Sequence, residues 1–209
     1  HWVQTQPDSV YLHQPYNGAW TEFSWARAAD EVLRITSAIR EKNFPPGSNI
    51  AILSKNCAHW LLADYAIWAS GHVSVPIYAN SNANSIRYIL EHCDAKLIFV
   101  GKLDKYDHLQ EAIPEKMPRF NFPYKVPTKG AQWDELVKSH KPFPEKITCK
   151  VNDVATIIYT SGTTGVPKGV VHSFASYGFA GDAIMKTIDL KSSDRFFSYL
   201  PLAHVAERL

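Results

Sequence analysis

Short apolar runs alternate with segments of helical length along the first half of the chain. The runs occupy residues 50–53, 73–78 and 97–100, and helical segments at residues 58–70 and 83–93 separate them. Buried strands that alternate with helices are typical of parallel β–α–β units, because a parallel strand pair needs a crossover connection. The sequence therefore predicts an α/β fold of mixed, largely parallel sheets flanked by helices.

A longer amphipathic segment precedes the first of these runs. Its apolar residues recur at intervals of three and four positions, which places them on one face of a helix between residues 24 and 42. They are Trp25, Ala28, Val32, Ile35 and Ile39. Ser24 is a suitable N-cap, and a Pro-Pro-Gly turn at residues 45–47 ends the element. We expect Ser81 or Asn82 to cap the helix at residues 83–93 in the same way.

Prolines set limits on two regions. Pro76 has no backbone N–H to donate, which predicts that the strand at residues 73–78 lies at a sheet edge or carries Pro76 near its end. Between residues 101 and 150 six prolines interrupt the chain and periodicity is lost. We expect this region to be a peripheral excursion with one helical piece at residues 133–140 and no catalytic role.

Composition excludes several classes of protein. The chain has 209 residues, 45% hydrophobic and 20% charged, which suits a globular core rather than disorder. Its best apolar stretch, residues 60–69, is interrupted by Asp64 and is shorter than the roughly 18 residues of a membrane span. A net charge of +2 is too balanced to predict nucleic acid or an anionic membrane as the main partner.

Cysteine usage and the chain ends add two expectations. Three cysteines without a CxxC spacing fit neither a disulfide framework nor a zinc site, and they suit a reducing cytosol. We therefore expect a cytoplasmic protein without a transmembrane segment, and leave peripheral membrane contact open. The chain starts at His1 and stops at Leu209 inside an apolar stretch, so we interpret residues 1–209 as one partial domain of a longer protein.

The most informative segment follows the β-type run that begins at Val154. It is a loop with three glycines, several hydroxyl residues and one lysine, Lys168. Glycines let consecutive N–H groups converge on an anion, hydroxyls add donors, and the ammonium adds a full charge, which together suit a polyphosphate. The spacing differs from a Walker loop, because Gly169 rather than a hydroxyl residue follows the lysine. A turn without function is the alternative.

Residues 159–170 resemble the phosphate-binding signature of the adenylate-forming superfamily, which includes acyl-CoA synthetases, firefly luciferase and peptide-synthetase adenylation domains. Residues 23–25 and 69–78 look like earlier segments of that family. Residues 199–208, which read YLPLAHVAER, are similar to the long-chain fatty acyl-CoA synthetases. The resemblance covers nearly the whole chain and implies the large N-terminal domain of such an enzyme.

The resemblance implies a fatty acid–CoA ligase that uses ATP, Mg²⁺ and coenzyme A. A long-chain fatty acid would form an acyl-adenylate, and the acyl group would then pass to coenzyme A. By resemblance, His204 lies near the carboxylate and orients one of its oxygens; a helix-start histidine that binds a backbone carbonyl is the alternative. Thr160 would also help to place Mg²⁺. The residues that the resemblance assigns to the ATP phosphates are Thr160, Ser161, Gly162, Thr163, Thr164, Gly165 and Lys168.

Three further parts that the resemblance implies do not occur in residues 1–209. They are the glutamate segment that binds Mg²⁺, the Thr-Gly-Asp that holds the ribose, and the C-terminal lid domain with its catalytic lysine. We therefore expect these 209 residues alone to be inactive. Two alternatives stay open: an acyl-adenylating enzyme that loads a carrier protein, and a non-catalytic nucleotide- or lipid-binding module. The acyl chain length and the oligomeric state do not follow from the sequence.

Overall fold

Most strands of the chain form one mixed sheet. The computed structural model describes residues 1–145, 147–161, 166–188, 191 and 194–208. The strands are β1 (Val10–Tyr16), β2 (Ala19–Ser24), β3 (Asn49–Leu53), β4 (Val73–Ile77), β5 (Leu97–Val100), β6 (Arg119–Asn121), β7 (Ala131–Gln132), β8 (Val154–Ser161) and β9 (Pro167–Ser173). The helices are α1 (Trp2–Thr5), α2 (Trp25–Arg40), α3 (Ala58–Ala69), α4 (Ala83–His92), α5 (Leu109–Ala112), α6 (Trp133–Ser139), α7 (Phe174–Ile188) and α8 (Val205–Arg208).

The sheet has the strand order β7-β6-β5-β3-β4-β8-β9, and β1 pairs with β2 in a separate hairpin. Each described pairing in the large sheet is parallel except that of β8 with β9. The predicted fold class is therefore confirmed. In the described part of the chain, no helix combines the length and the apolar character that a membrane crossing requires.

The next two strands are added on opposite sides of β3. After β3 it passes through α3 to β4 on one side, and then through α4 to β5 on the other side. Alternate residues of β3 are buried on opposite faces: Ile50 and Ile52 pack with α2 and α3, whereas Ala51 and Leu53 pack with α4. Because both faces are covered, the central strands are apolar at consecutive positions.

The predicted helices form where their patterns indicate. In α2 the Ser24 hydroxyl accepts a hydrogen bond from the Arg27 N–H at 3.2 Å, as expected of an N-cap. Of the two candidate caps of α4, it is Asn82 that accepts from the Ser85 N–H, at 2.8 Å. The predicted apolar face of α2 turns inward, with Ile35 fully buried.

The prediction that β4 lies at a sheet edge is wrong, because β4 pairs with β3 on one side and β8 on the other. The alternative holds, since Pro76 is the fourth of five strand residues. The Val73 N–H donates to the Ser48 carbonyl on the β3 side. Because backbone N–H groups point to alternate sides along a strand, the backbone nitrogens of Ser74 and Pro76 face β8. The described pairing with β8 is at Ser74 and Thr156, two residues before the proline. The missing N–H of Pro76 therefore does not interrupt the described pairing of β4 with β8.

The expectation of a peripheral excursion at residues 101–150 is wrong in part. This region contributes β6 and β7 to the sheet. It also buries four aromatic side chains in the core: Phe120, Phe122, Tyr124 and Trp133. Strands of three and two residues are too short to show a periodicity of two, which is why the pattern missed them. The predicted helical piece corresponds to α6.

Candidate functional site

A cleft opens at the carboxyl ends of β3, β4 and β5. The chain reverses direction about β3, and in parallel α/β sheets such a reversal separates neighbouring loops and leaves a crevice that ligands use. The cleft has a volume of about 560 Å³. Its walls come from the turns after these strands, which include Ser54, Tyr78 and Lys102, and from a later segment that includes Tyr199 and Ala203.

The turns after β3 and β5 are tied together at the floor of the cleft. The Ser54 hydroxyl accepts a hydrogen bond from the Lys102 N–H at 2.9 Å, and the Lys55 N–H donates to the Lys102 carbonyl at 2.8 Å. Gly101 lies where these turns meet. A Cβ at Gly101 would overlap the Phe122 ring and stand 2.6 Å from the Cβ of Ser54. The close approach of the two turns therefore requires glycine at this position.

We expect Gly101→Ala to lower the free energy of unfolding by about 1–3 kcal/mol, because the added methyl group must push the two turns apart. Denaturant unfolding measures the loss. Gly178→Ala in α7 is the matched control, since nothing lies within 4 Å of a Cβ there. Alanine also favours a helix over glycine by about 0.8–1 kcal/mol, so the control should be as stable as the parent or more so. Unchanged stability of Gly101→Ala would contradict the close approach.

The segment expected to bind phosphates ends a β-hairpin. β8 and β9 pair with Thr160 opposite Lys168 and Ser161 opposite Pro167. Directly opposite residues present their side chains on the same face, with Cβ atoms about 5 Å apart. The Thr160 hydroxyl and the stem of Lys168 are therefore neighbours, and both residues are exposed. Thus both lie in paired strands rather than in a loop.

Four of the predicted phosphate contacts lie outside the described residues. They are Gly162, Thr163, Thr164 and Gly165. The phosphate-binding roles of these residues, and of Thr160, Ser161 and Lys168, stay predictions. The structure does give the direction of the hairpin: β8 runs parallel to β4, and β4 to β3. β8 therefore ends, and β9 begins, at the same carboxyl edge of the sheet at which the cleft opens.

Tyr159 anchors this hairpin to the core, and together with Ile157 it explains the glycine that follows Lys168. Its side chain faces away from that of Thr160 and is buried, with the hydroxyl 2.7 Å from Nδ1 of His92 in α4. Gly169 lies opposite Tyr159, and a Cβ there would stand 2.8 Å from Cγ2 of Ile157 and 3.2 Å from the tyrosine ring. Burial raises the pKa of Tyr159 to about 12, so the phenol stays protonated at neutral pH.

Residues 198–208, which we call the docked segment, lie beside the cleft and carry His204. Asn56, just after β3, holds the segment through both atoms of its amide. Nδ2 donates to the Leu200 carbonyl at 2.6 Å, and Oδ1 accepts from the Leu202 N–H at 2.9 Å. Leu202 is buried. These contacts bring the docked segment to the edge of the sheet from which the β8–β9 hairpin extends.

The imidazole of His204 is exposed and is oriented by the helix that follows it. Its Nδ1 accepts a hydrogen bond from the Ala206 N–H at 3.2 Å. With an acceptor at Nδ1, Nε2 carries the proton of the neutral ring and can donate. The alternative interpretation is correct about the helix-start position, but the backbone partner is an N–H rather than a carbonyl. The ring therefore keeps a donor for another group.

Asp64 and Arg208 form a buried ion pair that no motif indicated. Nη2 of Arg208 donates to both carboxylate oxygens of Asp64, at 2.8 and 2.7 Å, and the side chains are only 2% and 4% exposed. The residues are 144 positions apart, so no local spacing could connect them. The signal that could have found the pair is Asp64 itself, because a carboxylate in an otherwise apolar helix requires a buried partner.

The described residues contain no group of three or more His, Cys, Asp or Glu side chains that could hold a metal ion. The predicted Mg²⁺ role of Thr160 stays a prediction. His59 has a packing role: its Nδ1 is 2.8 Å from the Tyr124 hydroxyl, and it packs edge-on to Phe23 and Trp133. Burial lowers the pKa of His59 to about 3, so its ring is neutral at physiological pH.

Known proteins resemble the chain over nearly its full length. It is 29% identical over 97% of its length to the long-chain-fatty-acid–CoA ligase FadD15 of Mycobacterium bovis. It is 30% identical over 92% of its length to long chain acyl-CoA synthetase 2 of Arabidopsis thaliana. The matches cover 35% and 32% of those two proteins, so the chain spans only a minor part of each relative.

A solved structure and a family model extend the comparison. The structure is that of O-succinylbenzoate coenzyme A synthetase (MenE) from Bacillus subtilis in complex with ATP and magnesium ion. It matches with a TM-score of 0.76 at 20% identity, over 99% of this chain and 51% of that one, which supports the fold. The family model described as AMP-binding enzyme matches residues 1–209. Because that match includes the whole chain, the chain belongs to the AMP-binding enzyme family, the adenylate-forming superfamily that its sequence resembles.

Proposed function

We propose that this chain is part of an ATP-dependent long-chain fatty acid–CoA ligase. The observation that carries the proposal is that one edge of the sheet presents both the hairpin with Thr160 and Lys168 and the docked segment with His204. The names of the two curated relatives support a long-chain fatty acid as the substrate. Because the chain spans 35% of one relative and 32% of the other, the activity is proposed for the full-length protein.

In the first step, an oxygen of the fatty acid carboxylate attacks the α-phosphorus of ATP. The bond to the bridging oxygen breaks, and pyrophosphate leaves. Catalysis of nucleophilic substitution at phosphorus rests mainly on positioning the reactants and on neutralising negative charge. We assign the ammonium of Lys168 and the hydroxyl of Thr160 to the departing β- and γ-phosphates, with backbone N–H groups of residues 161–165 as further donors.

A bound Mg²⁺ would neutralise additional charge on the phosphates. Mg²⁺ commonly keeps several waters and takes only one or two protein ligands besides phosphate oxygens. The exposed hydroxyl of Thr160, one residue before the end of β8, fits a single ligand of that kind.

His204 has a different role in this proposal. Its Nε2 donor, fixed by the hydrogen bond at Nδ1, orients a carboxylate oxygen for attack. In the second step, the thiolate of coenzyme A attacks the acyl carbon and AMP leaves. We assign no described residue to that step, because none of the contacts above distinguishes a thiol site.

The decisive experiment measures ATP–pyrophosphate exchange by the full-length protein with short, medium and long fatty acids. Thioester formation is then compared with coenzyme A and with a carrier protein as the acceptor. Exchange that depends on long acids, followed by transfer to coenzyme A, supports the proposal. Transfer to the carrier protein alone would favour the carrier-loading alternative. ATP or lipid binding without exchange would favour the non-catalytic module. The cytoplasmic location, with or without membrane contact, stays a prediction from composition.

A further inference from the structure

One buried guanidinium, that of Arg208 in α8, directly contacts three other elements of the fold, namely α3, β8 and α7. It bonds to Asp64 in α3, and its Nη1 donates to the Thr156 hydroxyl in β8 at 3.0 Å. That hydroxyl in turn donates to the Ser74 carbonyl in β4 at 2.7 Å. The ring of Tyr177 in α7 lies 5.4 Å from the guanidinium carbon.

Aromatic rings also enclose the guanidinium. The ring centres of Trp60 and Trp68 lie 5.1 and 5.7 Å from its carbon. Cation–π contacts with a desolvated arginine favour particular orientations of its planar group. Nε1 of Trp68 donates to the Ala155 carbonyl at 2.7 Å, which links α3 to β8 a second time. Both the charge and the shape of this environment therefore fix the orientation of Arg208.

Stability alone does not explain why such a pair is present. The desolvation of two charges offsets much of their attraction, and well-packed apolar residues can often replace a buried pair without loss. A forked guanidinium adds directional geometry. Here that geometry connects two parts of the candidate site, because Thr156 precedes Thr160 by four residues and His204 precedes Arg208 by four.

We propose that the Asp64–Arg208 pair is a positioning device that sets the His204 imidazole relative to the β8–β9 hairpin. The identity of the two ligands thereby aligned, a fatty acid carboxylate and the ATP phosphates, rests on the proposed function. Both residues are buried, so they act through their neighbours rather than on the substrate. Without the pair, the docked segment keeps its attachment at Asn56 but loses the one at its far end.

Three variants of the full-length protein separate positioning from a purely structural role. Asp64→Asn leaves Arg208 without its charged partner, which should lower the melting temperature by on the order of 5–10 °C. Asp64→Leu combined with Arg208→Met removes both charges and should recover most of that loss. Arg208→Lys keeps the charge but lacks the fork. Arg87→Met with Glu91→Leu removes an exposed arginine–carboxylate pair from α4 and is the control.

We expect the double variant to regain its melting temperature but not its adenylation activity. Its kcat/KM for the fatty acid in ATP–pyrophosphate exchange should stay roughly tenfold to a hundredfold below that of the parent, because a misplacement of about 1 Å can cost that much. Thioester formation from a preformed acyl-adenylate should change much less. Recovery of full exchange activity together with stability would overturn the inference. If the double variant does not fold, Arg208→Lys is tested in its place, again by the rates of ATP–pyrophosphate exchange and of thioester formation from the acyl-adenylate.

Hydrogen exchange separates failure of this inference from failure of the proposed function. The N–H groups of His204 and Glu207 are hydrogen-bonded within the docked segment. In the double variant, or in Arg208→Lys, they should exchange roughly tenfold faster or more, because the segment opens more often. Unchanged protection would overturn the positioning role even in an active enzyme. If the parent protein showed no fatty acid-dependent ATP–pyrophosphate exchange, the proposed function would be refuted instead. The hydrogen-exchange data would still test whether the Asp64–Arg208 pair orders the docked segment.

Discussion

Lys168→Ala in the full-length protein is expected to lower kcat/KM for ATP by roughly tenfold to a hundredfold. A charge-assisted hydrogen bond to phosphate is worth about 1.5–3 kcal/mol, and about 1.4 kcal/mol corresponds to a factor of ten in rate. Steady-state release of pyrophosphate measures the effect. The loss should appear with every fatty acid that the enzyme uses, because the lysine is assigned to the phosphates and not to the acid.

The position of Lys168 makes this a test of chemistry rather than of folding. The side chain is exposed on β9, and the hairpin is anchored from its other face by Tyr159. Stability should therefore change little. Lys186→Ala, at an exposed position of α7, makes the same change in net charge and should leave kcat/KM within about twofold. If kcat/KM for ATP were the same for Lys168→Ala as for the parent, the assignment of Lys168 to the phosphates would be wrong.

Local patterns predicted the fold well where the elements were long. The spacing of apolar residues indicated α2, and the cap residues Ser24 and Asn82 are the ones that the structure uses. Patterns failed where strand pairing depends on distant residues. The short strand β6 forms because β5 offers it an open side, and β7 pairs in turn with β6; no window of local sequence records either pairing. The interior position of β4 likewise follows from β8, some eighty residues later.

The sequence predicts a chemistry for the candidate site, whereas the geometry of the site comes from the structure. The motif at residues 159–170 predicts which residue types contact phosphate, but read as a loop it did not show that Thr160 and Lys168 face each other across two strands. Nor did it show that Gly169 makes room for the side chains of Ile157 and Tyr159. These features, like the Asp64–Arg208 pair, depend on which residues meet in space. A motif gives the chemical groups, whereas tertiary packing decides their directions.

His204→Ala is expected to lower kcat/KM for the fatty acid by about a hundredfold in ATP–pyrophosphate exchange, which is typical of losing one oriented donor at a reacting oxygen. The KM for ATP should change much less, since the imidazole is assigned to the carboxylate. Thioester formation from a preformed acyl-adenylate should also be nearly preserved, because that substrate no longer needs its carboxylate oriented. If the rate of thioester formation fell as far as the rate of ATP–pyrophosphate exchange, the role of His204 in orienting the carboxylate would be wrong.

Alanine at this position removes both the observed acceptor at Nδ1 and the proposed donor at Nε2, so a second substitution is needed to separate their effects. His204 precedes α8 and accepts the Ala206 N–H through Nδ1, which is a cap-like contact. His204→Asn can supply that acceptor, since asparagine is among the best N-cap residues, but its shorter side chain cannot also present a donor where Nε2 stands. We therefore expect His204→Asn to keep the melting temperature of the parent and to show the same selective loss with the fatty acid as His204→Ala. His13→Ala, at an exposed histidine of β1, controls for loss of an imidazole elsewhere. If His204→Asn restored exchange, the cap would be the only function of this residue, and the donor that orients the carboxylate would have to come from another part of the protein.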